Sequence, residues 1–138
     1  MTRKPPGRKQ ACDRSDAQGR LQQAKWFLDA ARLFHGEDTP AAASVASTNA
    51  VMAAIAASDA ACCAALNYRP RGDDHLEAVR HLASISPGGR AASNALKRAL
   101  DSKSQSQYGL VSVSASGRDG VIRQAERLIE FAEAVLAR

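Results

Sequence analysis

Residues 40–66, PAAASVASTNAVMAAIAASDAACCAAL, carry a single charged side chain, Asp59, and are small or apolar almost throughout. Alanine is the best helix former and a poor strand former, so this stretch predicts a helix and not a strand. Thr39 supplies an N-cap, and Pro40 fits the first helical position, where its missing N–H costs nothing. A helix of about 27 residues runs about 40 Å at 1.5 Å per residue. Being apolar or small nearly all round, it predicts the central, most buried helix of a bundle. Val45, Met52, Ile55, Cys62 and Leu66 mark one side of it, and Asn49, Ser58 and Asp59 are its polar residues.

The rest of the chain agrees with an all-α bundle. Of 138 residues, 29 are alanine and only 4% are aromatic, so small side chains and a few Leu, Ile, Val and Phe must build the core. This composition excludes a collagenous, disulfide-rich or wholly disordered chain. No run of eighteen consecutive apolar residues is present, so no membrane partner is expected. The basic N-terminus is not followed by an apolar stretch, so no secretory signal is expected and the cytoplasm is the expected location.

Four further helices follow from apolar spacing. The first, roughly 15–35, has Leu21, Ala24, Leu28 and Ala31 on one stripe, with Phe27 and Phe34 beside it and Gly36 as its stop. The third starts near Asp73 or Asp74, where Asp74 and Glu77 have capping-box spacing, and Leu76, Val79 and Leu82 give its inner face. Pro87-Gly88-Gly89 breaks it. The fourth, roughly 90–102, buries Ala92, Ala95, Leu96, Ala99 and Leu100. Residues 103–118 are rich in Ser, Gly and Gln and predict a long ordered loop. The last helix begins near Asp119, with Val121, Ile122, Ala125, Leu128, Ile129, Ala132, Val135 and Leu136 as its stripe.

Charge is unevenly placed. The formal net charge is +5, and Arg3, Lys4, Arg8, Lys9 and Arg14 against Asp13 put +4 of it in residues 1–14. With Pro5, Pro6 and Gly7, this predicts a disordered basic arm ahead of a single domain, 15–138, an arm able to touch nucleic acid weakly. Three cysteines, Cys12, Cys62 and Cys63, make a poor disulfide framework, and the adjacent pair reads as small core residues of a reducing compartment. Neither metal-ligand spacing nor a phosphate loop is present, so no cofactor and no metal are expected.

The densest polar cluster is Arg69-Pro70-Arg71-Gly72-Asp73-Asp74-His75, between the second and third helices. A helix start presents free N–H groups to an anion, and two arginines add charge-assisted bonds. Arg69, Arg71, Asp74 and His75 are therefore the candidate binding residues, against a structural reading of caps and ion pairs. Tyr108, ahead of Gly109, is a second candidate, against a role as packing anchor. His35 is expected at a helix C-terminus and His81 on the surface.

Ala24-Lys25-Trp26-Phe27-Leu28-Asp29-Ala30-Ala31, the small-residue helix 50–65, Asp74-His75-Leu76 at a helix start and Tyr108-Gly109 together resemble the HEPN domain, over roughly residues 20–137. The resemblance implies an antiparallel bundle of four or five helices, often dimeric. It implies work beside a nucleotidyltransferase or an antitoxin, or as a metal-independent RNase. RNase members carry an arginine, four to six residues, then a histidine; Arg69 and His75, with five between, meet that spacing, and Arg69 or Arg71 with His75 is the catalytic candidate. The family's motif sits nearer the last core helix, where this chain has Arg118 and no histidine. Three functions follow: a non-catalytic accessory or toxin–antitoxin-type module associated with nucleotide or nucleic acid, an RNase toxin, or a purely structural homodimer.

Overall fold

A computed structural model describes residues 9–34, 36–71, 75–107 and 114–138, with backbone alone for 103–107. Its elements are β1 (Lys9–Ala11), α1 (Arg14–Arg32), α2 (Pro40–Leu66), β2 (Tyr68–Pro70), α3 (His75–Ala83), α4 (Gly89–Gln107) and α5 (Ala115–Leu136). The chain is an all-α bundle, with five helices and one two-stranded ribbon among the described residues; β1 pairs antiparallel with β2, and Gln10 faces Arg69.

The α2 bounds follow from its caps. Thr39 Oγ1 accepts from Ala42 N–H at 3.2 Å, and Pro40 opens the first turn. Asn67, at φ 63°, closes the last turn in the left-handed region that asparagine tolerates. By length and composition α2 could cross a membrane, and two-thirds of its apolar window is buried inside the bundle.

Long-range contacts fix the helix directions. Arg20 on α1 reaches Asp59 near the end of α2, so these helices run antiparallel. Lys25 meets Glu133 at 2.9 Å and Arg32 meets Glu126, so α1 is antiparallel to α5 as well. Arg14 donates to the Leu136 carbonyl at the far end of the same seam. Helix α4 packs on α2 and α5, and α3 folds back on α4.

The α2 alanines at 43, 46, 50, 53, 54, 56, 57, 60 and 61 are fully or almost fully buried. Small side chains let the neighbouring helices approach the α2 backbone closely. The larger Val45, Met52 and Ile55 lie instead on its half-open side, Val45 being 45% exposed. The stripes of α1 and α5 are buried as their spacing requires.

Several expectations are corrected. Residues 9–14 are not a disordered arm: Lys9–Ala11 form β1, and Asp13 caps α1 in a reciprocal capping box with Asp16. Residues 1–8 lie outside the described residues, as does His35. Helix α1 ends at Arg32, four residues before Gly36, which takes φ +93° in the turn beyond. Leu76 is 82% exposed, because α3 turns Ala78, His81 and Leu82 inward and leaves Leu76 on the far side. The polar segment after Ser102 continues α4 to Gln107, and α5 starts at Ala115 under a Ser114 cap, so both ends of the loop expected at 103–118 are helix, while 108–113 lie outside the described residues. Ser, Gln and Lys make no apolar stripe, so nothing in the spacing signals that extension.

The α3–α4 turn depends on Gly89. A Cβ there would run into the carbonyl oxygen of Leu82, whose helix backbone cannot move aside cheaply. Gly89→Ala is therefore expected to cost about 1–3 kcal/mol, read as a lower urea midpoint at unchanged m. An unchanged midpoint would contradict this close approach.

Candidate functional site

The polar chemistry of the domain gathers where α2 ends. Asp59 lies two turns before that end and is 6% exposed. A carboxylate there needs partners, since an unpaired buried charge costs several kcal/mol. Arg20 from α1 supplies Nη2 at 2.9 Å and Nε at 3.0 Å, and Arg69 from β2 supplies Nη1 at 3.1 Å, all to Asp59 Oδ2. Burial pushes the Asp59 carboxyl above its ordinary range, against the pull of Arg20 and then Arg69.

One turn on, Cys62 is a buried free thiol, pushed up to about 12 by burial and by the Asp59 charge. Cys63 is bonded to Cys12, 51 residues away. The expectation that the cysteines are only small core residues is thus corrected for this pair. The bridge forms because β1 lies along β2, which brings Cys12 beside the α2 terminus, and Cys12 N–H also donates to the Asn67 carbonyl at 3.1 Å.

Behind β2, the Tyr68 ring meets the His81 ring edge-on at 5.1 Å. His81 is 8% exposed, not a surface residue, because Tyr68 covers it and Glu77, one turn back, accepts from Nε2 at 3.2 Å. Its Nδ1 is buried without a hydrogen-bond partner. Lys9 Nζ sits 4.3 Å from the centroid of the Tyr68 ring. Among the described residues, no cluster of three metal-ligating side chains is present.

The sequence-derived candidates separate. Arg69 is committed to Asp59. Arg71 is exposed just past β2. His75 is the first residue of α3 and half-buried. Asp74, with its capping box, and Tyr108 lie outside the described residues. Arg118 is 3% exposed and holds the α1–α2 turn, donating to the Glu37 carbonyl at 3.1 Å and pairing with Asp38 and Asp119. Spacing missed Arg20, Asp59 and the Cys12–Cys63 bridge. One signal was available: a lone carboxylate in an otherwise uncharged helix implies a cation from a neighbouring element.

Two open grooves lie along the α1–α5 seam. The larger, about 640 Å³, is lined by Leu28 and Ile129 between Lys25, Arg32, Glu126 and Glu130. Its two cations, Lys25 and Arg32, are already paired across the seam with Glu133 and Glu126, so it offers no unengaged cation to an anionic ligand.

A scan against protein-family models and a search of curated proteins give no match to this chain.

The raised Asp59 carboxyl has a definite pH consequence. The folded state holds this proton more tightly than the unfolded chain, whose pKa is about 3.9. Folded protein then binds more protons just above that pH, so this group's contribution falls as pH rises through the window. The stability advantage of wild type over Asp59→Asn is expected to be largest near pH 4 and to shrink at higher pH, by denaturant titration at each pH. An advantage that grows with pH would show the arginines outweighing burial.

Proposed function

We propose that the chain is a non-catalytic HEPN-like helical module, an accessory or toxin–antitoxin-type protein associated with nucleotides or nucleic acid. The observation that carries the non-catalytic part is the engagement of Arg69 by Asp59. An RNase centre needs its arginine free to meet phosphate, and this guanidinium already serves a buried carboxylate on α2. Arg71 is exposed beside it and offers a charge to an anion. The long, small-residue α2 inside a five-helix bundle agrees with the resemblance.

A second copy of the chain belongs to the same proposal, supported by the half-open Val45, Met52 and Ile55 side of α2. So does a nucleotidyltransferase or antitoxin partner, in the cytoplasm.

Fluorescence anisotropy with a single-stranded RNA oligonucleotide and with a labelled adenine nucleotide tests the binding. Expected is weak, salt-sensitive association that Arg71→Ala weakens about 3–10-fold, the size of one charge-assisted contact. No association of either probe at low salt would overturn it. Sedimentation at tens of micromolar is expected to give twice the 14.6 kDa chain mass.

A further inference from the structure

Strand β1 has little of its own to hold it in place. All three of its residues are exposed, and a three-residue pair is too short to persist by its ladder alone. What fixes it is Cys12, partly buried and bonded to Cys63 inside the bundle, with Lys9 over the Tyr68 ring as a minor contact. Beyond Cys12 the chain is anchored independently. Asp13 and Asp16 cap α1 reciprocally, and Arg14 holds the Leu136 carbonyl. A hinge therefore lies at Cys12–Asp13, with a strap on one side and the bundle on the other.

We propose that the Cys12–Cys63 disulfide is a redox latch: its reduction by a dithiol releases β1 from β2 and uncovers Tyr68 and Arg69, while the five helices stay folded. The chemistry is ordinary thiol–disulfide exchange. A thiolate of the dithiol attacks Cys12 Sγ, the more accessible sulfur, forming a mixed disulfide and expelling the Cys63 sulfur, which takes up a proton. The second thiol of the reductant then attacks the mixed disulfide and frees Cys12. The protein gains two electrons and two protons, and the dithiol leaves as its own disulfide.

Cys62 does not divert the exchange, although it neighbours Cys63. Only a thiolate attacks, and burial keeps Cys62 protonated, its thiol pushed up to about 12. Release exposes the β2 edge beside Arg71, so the redox state sets the access to the exposed arginine's surroundings. The latch does not depend on what that loop binds.

Amide hydrogen exchange of the full chain, read by mass spectrometry, tests this on oxidised protein, on dithiothreitol-reduced protein and on Cys12→Ser. Thiol labelling confirms the state of each sample. In the two open forms, amides of Lys9–Ala11, Tyr68 and Arg69 are expected to reach the rates of an unstructured chain. Those of α2 and α5 stay slower than that by at least about 100-fold, because local opening leaves the global equilibrium intact. Unchanged protection of β1 and β2 in the open forms would overturn the latch. Loss of protection in the helices together with the ribbon would overturn it too, since the bond would then hold up the whole fold.

Discussion

Leu128→Ala is expected to cost about 4 kcal/mol, near the upper end of the range for a buried leucine. Leu128 is fully buried in the middle of the α5 stripe, and it is among the few large side chains in a core made mostly of alanine. Alanine fills most of the buried face of α2, and its side chain has no rotamers with which to fill the space. The cavity would close only if α5 moved toward α2, and the seam of Lys25–Glu133 and Arg32–Glu126 pairs resists that. For a domain of this size the loss corresponds to a fall in Tm of roughly 12 °C. A fall under about 3 °C would mean that the α2–α5 contact is looser than described.

Opening the disulfide is expected to have an effect of similar size. The bond closes a loop across 51 residues, and removing that constraint from the unfolded chain costs about 4 kcal/mol by the loop-entropy relation. Cys12→Ser is the cleaner variant, because Cys63 then remains buried as a thiol in its own site. Reduction of the wild type should match it. The packing among α1, α2, α4 and α5 is untouched by the change, so the helical signal in circular dichroism should persist at room temperature. A midpoint insensitive to both reduction and Cys12→Ser would contradict the bridge.

Features carried by adjacent residues were legible before the structure. Thr39 and Pro40 are local signals, and they start α2 at the expected residue. The α1 and α5 stripes are legible because leucine, isoleucine and valine recur every three or four positions. Features that depend on distant segments were not legible. Lys9-Gln10-Ala11 has no strand pattern of its own and becomes a strand only because β2 lies beside it. Cys12 and Cys63 are brought together by that same ribbon. His81 reads as an exposed residue on a short helix until Tyr68 arrives from β2 to cover it. On α2, apolar or small nearly all round, the spacing singles out no inner side. Burial there favours alanine, since close helix approach selects the smallest side chain.

The same reasoning separates the two halves of the candidate site. Arg69 alternates along β2 with Tyr68 and Pro70, and its direction is set by pairing with β1. Nothing in Arg69-Pro70-Arg71 distinguishes the arginine that meets Asp59 from the one that meets solvent. That distinction decides the chemistry, because one guanidinium is neutralised and the other is not.

The most direct measurement follows from it. Purified protein is incubated with end-labelled single-stranded RNA in excess EDTA, alongside His75→Ala of equal thermal stability, and the products are resolved by length. A non-catalytic module leaves the RNA at full length in both samples. Metal-independent cleavage by the wild type that disappears in His75→Ala would contradict the account, and would make His75 a catalytic residue.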